Sequence, residues 1–584
     1  MCLRGVPQAC FVFMEGILNL NSYAHEIAKA RYFWPEENSW EQLADRICVE
    51  NAKNEKTNQE HWHKEFMSII QPMDFIPAGR ILRNLGKLKP STSNCNFLPI
   101  DDSIESIAET LKNYLIISSY GGGNGINFSS LRPKGTPLVT KGGTSSGMVS
   151  FIEMFNNAGS RLETGGQRRA AGIALCNISH PEIEDFIDAK IKHDKLNQFN
   201  ISVIIDSNFL KAVERDDDWQ LRFAGKIYKT IKAKSLWHKI LDNMLKHAEP
   251  GLINWDKMQK NNTFYFSPIG GCNPCGELPL EEYGVCNLGS IVLPHFVTNV
   301  NTDWQKLARA IQIAVRFMDN IIDLAFYPLP QQEAIVKNAR RIGIGTMGLA
   351  DYFFKKKIRY GSEKSIQEIE KLYKFIRDEA YKASIELAKE KGAFPKYDKV
   401  NYCSASFIRK LPPKLRLMIK ENAIRNATLL TCPPTGTTAL LANVISGIEP
   451  LPFKGYKRID GVGERIYISP YYRIAKNEDW FVDSYDLTPE EHLEVQATIQ
   501  KYIDSSVSKT ILLPSQTQVK DLDKILMEYI YDLKGITIYR DTSRGKQVYY
   551  RLSEEEIEKY GRKEGVLDRL AEEDMACKGG MCEI

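Results

Sequence analysis

The chain of 584 residues has no long apolar run, and none of its hydrophobic stretches approaches the ~20 residues that cross a bilayer as a helix. The opening residues 1–18 are mildly apolar, but charge interrupts them and no small-residue cleavage site of a secretory signal is clear. The sequence therefore predicts a soluble protein without a membrane partner.

An excess of either charge is also lacking. The chain carries 77 Lys and Arg against 73 Asp and Glu, a formal net charge of +4. Binding of nucleic acid by bulk electrostatics is therefore not indicated, and we expect no nucleic-acid partner. Local sites for small anions remain compatible with this balance.

Cysteine is sparse for a disulfide scaffold, with 12 residues scattered over the whole length. Secreted scaffolds concentrate cysteines in short chains, whereas the clustered cysteines here have spacings suited to redox chemistry. We therefore expect a reducing, cytoplasmic location.

Internal repeats and low-complexity linkers are absent as well. Hydrophobic residues make up 43% of the chain, enough for a large core, and closed α/β barrels can reach this size as single units. Apolar residues near the 3.6-residue period predict helices, and β-rich pieces between them predict an α/β architecture. The predicted helices cover 15–70, with Ser39 as N-cap of Trp40–Cys48, then 232–248, 303–323, 363–392 and 488–504; strands are predicted at Phe199–Ile205 and Gly535–Tyr539.

The most informative stretch is Asn273-Pro-Cys-Gly-Glu277, which is followed by Cys286. In an extended segment, residues i, i+2 and i+4 point to the same side, so Asn273, Cys275 and Glu277 would converge on one small volume. The alternative is a Cys-Pro-Gly turn with incidental polar neighbours. On the first interpretation the segment is catalytic.

This stretch resembles the active-site region of the ribonucleotide reductase catalytic subunit, most closely its adenosylcobalamin-dependent class, and further segments continue the resemblance in order from about residue 70 to the C-terminus. These segments are Gly271–Leu280, Val285–Ile291, Ser93–Pro99, Gly121–Pro133, Gly165–Ala171, Asn200–Val203, Arg341–Asp351, Pro434–Thr438 and Ser446–Pro450. Each one alone is a weak signal, but their number and order leave little room for chance.

The resemblance implies a ten-stranded α/β barrel threaded by a finger loop that carries the central cysteine, although pattern alone also allows an eight-stranded barrel. We expect a helical region at 1–70, the barrel at 71–551 and a flexible tail at 552–584. The family's N-terminal nucleotide-binding cone is expected to be absent, because no Val-x-Lys-Arg-Asp-Gly-like stretch precedes the core.

The resemblance also implies roles for the central residues. A thiyl radical on Cys275 would abstract the substrate's 3′-hydrogen, and Glu277 would take the 3′-hydroxyl proton as general base. Asn273 would orient the substrate hydroxyls, since an amide both donates and accepts hydrogen bonds. The alternative for Glu277 is a partly buried carboxylate with a structural role.

Two further pairs of cysteines match the family's redox positions. Cys95 and Cys286, 191 residues apart, would deliver two reducing equivalents and end as a disulfide, which requires Cα atoms within about 7 Å. Cys577 and Cys582 in the tail would shuttle electrons to this disulfide from thioredoxin or glutaredoxin. The alternatives are buried structural thiols for the first pair and a zinc site for the second, which too few ligands disfavour.

The resemblance assigns the substrate diphosphate to the turn at 433–438, because hydroxyls and free amides at a helix start bind phosphate. An ordinary helix cap is the alternative. The candidate substrate-binding residues are Ser93, Asn94, Gly123, Pro434, Thr435, Gly436, Thr437 and Thr438, and the candidate residues for a nucleoside triphosphate effector are Arg161, Gln167, Arg168 and Arg169.

The radical source divides the family. Two-subunit members carry two adjacent tyrosines that relay an electron from a separate radical subunit, but here Tyr539 is followed by Arg540, which cannot be oxidised in this way. The pair Tyr549-Tyr550 lies ten residues downstream as an alternative relay. We therefore expect adenosylcobalamin as cofactor and no metal site on the chain. The alternative is a separate di-metal radical subunit, which the cysteine-bearing tail favours.

The sequence therefore predicts a radical ribonucleoside-diphosphate reductase that forms a homodimer. A catalytically silent nucleotide-binding homologue is disfavoured by the intact cysteines, and a purely structural barrel by the cysteine pair in the tail. An anaerobic enzyme is disfavoured because the chain has neither a C-terminal glycyl-radical motif nor a four-cysteine zinc site.

Overall fold

The structure is a computed structural model that describes residues 20–139, 142–164, 168–191, 196–460, 463–540 and 549–561. Its helices are α1 (Ser22–Arg31), α2 (Trp40–Ala52), α3 (Gln59–Ile70), α4 (Gly79–Asn84), α5 (Ile104–Ser119), α6 (Met148–Gly159), α7 (Ile183–Asp188), α8 (Ser207–Arg215), α9 (Ala233–His247), α10 (Trp255–Lys260), α11 (Trp304–Leu324), α12 (Pro330–Ala339), α13 (Leu349–Lys356), α14 (Glu363–Lys391), α15 (Lys399–Ser404), α16 (Ser406–Arg409), α17 (Pro413–Asn422), α18 (Gly436–Leu441), α19 (Tyr472–Ala475), α20 (Pro489–Gln500), α21 (Val519–Tyr529) and α22 (Glu554–Gly561).

Its strands are β1 (Phe75–Pro77), β2 (Cys95–Leu98), β3 (Gly123–Asn127), β4 (Glu163–Thr164), β5 (Arg168–Arg169), β6 (Gly172–Asn177), β7 (Phe199–Ile205), β8 (Asp218–Phe223), β9 (Lys226–Lys232), β10 (Gly251–Asn254), β11 (Gly271–Cys272), β12 (Pro279–Leu280), β13 (Val285–Val292), β14 (Val297–Thr298), β15 (Asn301–Thr302), β16 (Ile342–Met347), β17 (Gly455–Asp460), β18 (Gly463–Ile468), β19 (Thr510–Leu513), β20 (Gly535–Arg540) and β21 (Tyr549–Arg551). Helices alternate with most strands of the large sheet, as the sequence predicts.

The predicted helices and strands are confirmed with small shifts at their ends, except that residues 15–19 of the first predicted helical stretch lie outside the described residues. The stretches 303–323 and 363–392 form α11 and α14, and the predicted strand at 199–205 is β7. Ser39 caps α2 as predicted, because its side chain accepts a hydrogen bond from the backbone N–H of Gln42.

The large sheet contains two parallel halves. One half consists of β2, β3, β6, β7 and β10, joined in that order by parallel pairing. It meets β13 at one end and β20 at the other, and both of these pairings are antiparallel. Antiparallel joints therefore separate the two halves.

The second half closes the sheet into a ring. β13 pairs with β16 and β19 with β20, both in parallel. Residues 428–432 join these pairs: Thr431 N donates to Ile344 O at 3.1 Å, and Cys432 N donates to Ser506 O at 3.1 Å. Residues 505–508 lead directly into β19, so the hydrogen bonds of residues 428–432 link β16 to β19. Within the described residues the ring has ten members, as predicted, when the segment 428–432 is counted with the nine strands named above. The eight-stranded alternative does not fit.

Side chains alternate between the inside and the outside of this ring. On β6, Ala174 and Cys176 belong to the hydrophobic cluster formed with the outer helices, whereas Ile173 and Leu175 pack in a small inner cluster with Cys272. The period of two residues is that of a strand buried on both faces. The inner face of the barrel is thus apolar around the finger loop.

The first helices share a core with the barrel. Side chains of α2 and α3, such as Leu43 and Phe66, lie in the same buried cluster as Phe317 of α11 and Ile344 of β16. Burial of apolar surface of this kind is the main stabilising contribution in folding. The helical region at the N-terminus is therefore packed onto the barrel.

Candidate active site

The stretch from Asn273 to Glu277 forms the tip of a hairpin, so the prediction of an extended segment is wrong. The strands β11 and β12 pair on either side of it, Asn273 N donates to Leu278 O at 3.2 Å, and Gly276 N donates to Asn273 O at 3.0 Å. Gly276 has φ +76°, which glycine adopts without steric cost. Pro274 and Gly276 therefore impose a turn where strand alternation was expected. Residues 273–278 are called the fingertip below.

The hairpin lies inside the barrel because β3 presents glycines to it. A Cβ added at Gly125 would lie 1.7 Å from the carbonyl oxygen of Cys272, and one added at Gly123 would lie 2.9 Å from Cγ of Pro274. Any larger residue at Gly125 would collide with the backbone of the finger. The glycine-rich turn thus provides room for the finger loop.

Two polar side chains of the fingertip converge on Cys95. Asn273 Nδ2 donates to the Cys95 sulfur at 3.2 Å, and the Cys95 thiol lies 3.8 Å from Oε1 of Glu277. Asn273 and Glu277 are both fully buried. The Oδ1 atom of Asn273 accepts a hydrogen bond from Leu278 N at 2.9 Å, which fixes the orientation of the amide. The turn therefore brings two of the three groups that were expected to converge, Asn273 and Glu277, together at Cys95.

Cys95 and Cys286 lie directly opposite each other on adjacent antiparallel strands, β2 and β13. Directly opposed residues in such a pair have Cα atoms about 4.5 to 5.5 Å apart, within the range that a disulfide spans. Both side chains are 1% exposed, and both are thiols that are not joined in a disulfide in this structure. The two cysteines, called the redox pair below, are placed to form and break a disulfide.

Burial raises the pKa of the Cys286 thiol far above its usual value. The nearby Arg341 guanidinium lowers this pKa in part, and the charge of Glu277 raises it further. Arg341 is itself buried and pairs with Glu281 at 2.8 Å. Cys286 is therefore a protonated thiol at neutral pH, suited to donating hydrogen.

The backbone of Glu277 is anchored to the second half of the barrel. Its carbonyl oxygen accepts a hydrogen bond from Ser506 N at 2.8 Å and another from the Thr431 hydroxyl at 3.0 Å. Thr431 and Ser506 are both fully buried. Glu277 therefore connects the two halves of the barrel, its backbone held by one half and its carboxylate directed to the redox pair.

Cys275 differs from the redox pair in its exposure. It is half-buried, whereas the redox pair is almost completely buried. The backbone beside it is packed without crowding: a Cβ added at Gly276 would make an ordinary van der Waals contact with Ile253 at 3.6 Å, and one added at Gly535 would have no neighbour closer than 3.8 Å. A reactant could therefore reach Cys275 more easily than the redox pair.

The predicted substrate residues Ser93 and Asn94 lie at the start of β2, beside the fingertip. Asn94 O accepts a hydrogen bond from Gly123 N at 2.8 Å, and Ser93 Oγ donates to Oδ1 of Asn287 at 3.4 Å. The Oδ1 atom of Asn94 is buried and makes no hydrogen bond within the described part of the chain. It is an acceptor that a ligand could use.

The turn at 433–438, called the threonine turn below, leads into α18 (Gly436–Leu441), and its last three residues are the first three of that helix. Thr435 Oγ1 accepts a hydrogen bond from Gly447 N at 2.8 Å and lies 3.3 Å from Ser446 Oγ. Thr438 Oγ1 donates to Thr435 O at 3.2 Å. These two threonines hold the turn in shape.

Two residues without a role in the sequence analysis contact the threonine turn or the segment that follows it. The hydroxyl of Tyr32 hydrogen-bonds to Oγ1 of Thr437. Asp351, buried in α13, accepts a hydrogen bond from Ile445 N at 2.7 Å, and burial raises the pKa of its carboxyl to about 6. Nothing local in the sequence marks Tyr32 as a neighbour of Thr437.

The other functional candidates lie elsewhere or outside the described residues. Arg161 follows α6 and is exposed, and Arg168 and Arg169 form β5. Tyr539 lies on β20 opposite Leu512. Gln167, Cys577 and Cys582 lie outside the described residues.

Thr431, Ser506 and Arg341 were missed as site residues by the sequence analysis. Arg341 begins a motif quoted for the resemblance, so its position was a signal, although no role was attached to it. Thr431 and Ser506 carry no local signal because each acts through a backbone contact made across the barrel.

The described segments contain no group of three or more His, Cys, Asp or Glu side chains that could hold a metal ion. In the same segments, no helix has the length and apolar character needed to cross a membrane.

Comparison with known proteins gives a consistent result. Residues 93–539 match the family model described as ribonucleotide reductase, barrel domain. A vitamin B12-dependent ribonucleoside-diphosphate reductase of Thermoplasma acidophilum is 35% identical over 88% of this chain and 69% of its own length. The enzyme of the same name from Mycobacterium tuberculosis is 32% identical over 91% of this chain and 81% of its own length.

A more distant relative is the ribonucleoside-diphosphate reductase large subunit of Danio rerio. It is 29% identical over 70% of this chain and 57% of its own length. The similarity to the two vitamin B12-dependent enzymes is thus higher in identity and covers more of both chains.

Proposed function

The chain belongs to the ribonucleotide reductase family, and we propose that it reduces ribonucleoside diphosphates to 2′-deoxyribonucleoside diphosphates with adenosylcobalamin as cofactor. The observation that carries this proposal is the register of Cys95 opposite Cys286, with Asn273 and Glu277 of the fingertip directed at Cys95. This arrangement provides a dithiol, a carboxylate and an amide around one buried volume.

The chemistry balances with these groups. A thiyl radical on Cys275 takes the 3′-hydrogen of the ribose, and Glu277 accepts the 3′-hydroxyl proton. The 2′-hydroxyl leaves as water, and the redox pair supplies two electrons and two protons as its two thiols become a disulfide. Of the two protons, one completes the water and the other goes to C2′. Glu277 returns its proton to the 3′-oxygen, and Cys275 returns the hydrogen to C3′, which regenerates the Cys275 radical.

The positions of the groups support these roles. The Cys95 thiol lies within hydrogen-bonding reach of Glu277, so a proton can pass between the redox pair and the carboxylate. The Cys286 thiol stays protonated because burial raises its pKa, so hydrogen remains available for delivery. Asn273 holds the Cys95 sulfur and would orient the substrate hydroxyls.

The partial exposure of Cys275 fits the proposed cofactor. Adenosylcobalamin, when bound, would supply the radical that converts the Cys275 thiol to a thiyl. Because Cys275 is half-buried and the redox pair is not exposed, a cofactor would reach the fingertip at Cys275. A relay of tyrosines is not needed for this route, and at Arg540 such a relay would meet a side chain that is not redox-active.

The substrate would lie between the fingertip and the threonine turn. Ser93, Asn94 and Gly123 would contact the ribose side, and the unpaired Asn94 Oδ1 is an acceptor for a hydroxyl. The diphosphate would bind at the threonine turn, through Thr437 and the backbone from Pro434 to Thr438. The geometry of the turn supports this assignment because Thr435 and Thr438 fix its shape.

As a member of the family, the chain is expected to bind a nucleotide substrate and a nucleotide effector. We place the effector at Arg161, Gln167, Arg168 and Arg169. We further propose that the chain forms a homodimer, and that thioredoxin or glutaredoxin reduces Cys577 and Cys582, which in turn reduce the redox pair.

The test is an activity assay of the isolated chain with a ribonucleoside diphosphate, a small dithiol and adenosylcobalamin. We expect deoxynucleotide formation that requires the intact cofactor and is absent with hydroxocobalamin, which lacks the adenosyl group. A chain that is inert under these conditions but active with a separately expressed metal-bearing subunit would contradict the cofactor assignment.

A further inference from the structure

Tyr32 joins the N-terminal helical region to the threonine turn. It follows α1, its side chain is buried, and its hydroxyl hydrogen-bonds to Oγ1 of Thr437, 405 residues away. Helix α1 packs against α18, which begins in this turn. A residue from outside the barrel sequence therefore contacts the proposed diphosphate site.

The tyrosine ring is held in a fixed position. Tyr32 N donates to Ala28 O at 2.8 Å, which continues the hydrogen-bonding of α1. A Cβ added at Gly79 would lie 2.9 Å from Cε1 of Tyr32, so the ring lies directly on the backbone where α4 begins. This packing and the burial of the side chain leave the hydroxyl little freedom to move away from Thr437.

Among the threonines of the turn, Thr437 has a different role from its neighbours. The hydroxyls of Thr435 and Thr438 bond within the turn and to residues 446–447, so they shape the backbone. The Thr437 hydroxyl instead bonds to Tyr32. It is therefore the hydroxyl whose direction is set from outside the turn.

The direction of this hydrogen bond follows from acidity. A phenol, with a pKa of about 10, is a better donor than an aliphatic alcohol, so Tyr32 donates and Thr437 Oγ1 accepts. A hydroxyl that accepts one hydrogen bond donates its own proton more strongly to a second acceptor. With a phosphate oxygen in the turn, Thr437 would be the middle member of a donor chain.

We propose that Tyr32 is a positioning residue for the substrate, which orients and strengthens the Thr437 hydroxyl as a donor to the diphosphate. This inference rests on the proposed function, because it takes the threonine turn as the diphosphate site. It makes the N-terminal helical region part of substrate recognition, and it assigns Tyr32 to binding rather than to radical chemistry.

The test compares Tyr32→Phe, Thr437→Val and the double variant in a cycle. Binding of a ribonucleoside diphosphate to each chain is measured by calorimetry, and binding of the unphosphorylated nucleoside is measured beside it. Tyr32→Phe removes one oxygen atom, and we expect about tenfold weaker diphosphate binding, the size of effect that follows from losing one good hydrogen bond. In turnover assays KM should rise by a similar factor with kcat within twofold.

If Tyr32 acts through Thr437, the double variant should bind little more weakly than Thr437→Val alone. Tyr402→Phe is the matched control, because Tyr402 is a buried tyrosine whose hydroxyl donates to Ala427 O, away from the turn. It should leave diphosphate binding unchanged.

Additive losses, an equal loss for the unphosphorylated nucleoside, or unchanged diphosphate binding in Tyr32→Phe would each overturn the inference. The proposed function is judged separately, by turnover of the unmodified chain with adenosylcobalamin. An active wild-type chain with a silent Tyr32→Phe would reject only the role of Tyr32.

Discussion

The redox pair and Cys275 belong to the same site but are held in different ways. Cys95 and Cys286 lie on adjacent strands, where the backbone ladder fixes their register and the barrel wall buries them. Cys275 lies in a turn between two short strands and is half-buried. The redox pair is therefore buried and fixed by strand pairing, whereas Cys275 is partly exposed.

The difference matches what each part has to do. Two thiols that become a disulfide need a fixed separation, which strand pairing provides at no extra cost. A thiol that receives a radical needs a partner to reach it, which a buried strand position would prevent. Glu277 connects the two parts, since its carboxylate faces Cys95 while Thr431 and Ser506 hold its backbone.

The largest effect is expected at the accessible thiol. Cys275→Ser should abolish deoxynucleotide formation while leaving folding and nucleotide binding intact, because serine is nearly isosteric but does not readily form the chain-carrying radical. Product formation and nucleotide affinity are measured on the same preparation. Turnover above a few per cent of wild type would falsify the assigned role.

Substitution in the redox pair should stop turnover by a different route. Cys95→Ser or Cys286→Ser removes half of the dithiol, so productive reduction should cease although Cys275 is present. Cys176→Ser is a matched control, because this buried cysteine packs among the outer helices and away from the site. Multiple turnovers by either variant of the redox pair would show that these cysteines are not the reductant.

Removal of the tail cysteines should disconnect the redox pair from its external electron source. The double variant Cys577→Ser/Cys582→Ser is expected to be inactive with thioredoxin yet to retain activity with a small dithiol that enters the barrel directly. Initial rates with the two reductants give the measurement. Equal loss with both would show that the tail does not act as a shuttle.

The smallest effect is expected where the fingertip is anchored. Thr431→Val removes the hydroxyl that holds Glu277 O, and we expect kcat to fall about tenfold with KM unchanged, because a displaced base loses part of its ~10²–10⁴-fold contribution. Thr431→Ser keeps the hydroxyl and should restore most of the rate.

Thr346→Val is the control for this anchor. Thr346 is a buried threonine of β16 whose hydroxyl bonds to Tyr373, not to the finger. Comparable losses of kcat in Thr346→Val and Thr431→Val would mean that any buried hydroxyl of the barrel matters, and that Thr431 has no special relation to Glu277.

Much of the fold could be predicted because it depends on local pattern. The apolar periodicity of α11 and α14, the β-branched run of β7 and the cap at Ser39 are properties of neighbouring residues, so the sequence contains them directly. The ten-stranded ring and the finger loop were predicted from the resemblance to a family, which local pattern alone could not distinguish from an eight-stranded barrel.

The identities of the central site residues were likewise available from sequence motifs, but their geometry was not. Asn273 and Glu277 do converge, yet through a hairpin turn that Gly276 allows at positive φ and not through strand alternation. The extended prediction failed because it considered only the period of side chains and not the turn preference of a Pro-Cys-Gly stretch.

By itself, then, the sequence determined the helices, the strands and the chemical groups available for a radical reduction, because composition and local order encode them. Only the tertiary structure decided which distant groups meet: Cys95 opposite Cys286, Thr431 and Ser506 on the carbonyl of Glu277, and Tyr32 on Thr437. The physical reason is that each of these contacts joins segments far apart in the chain, and their distances are set by the closure of the barrel and the packing of helices around it.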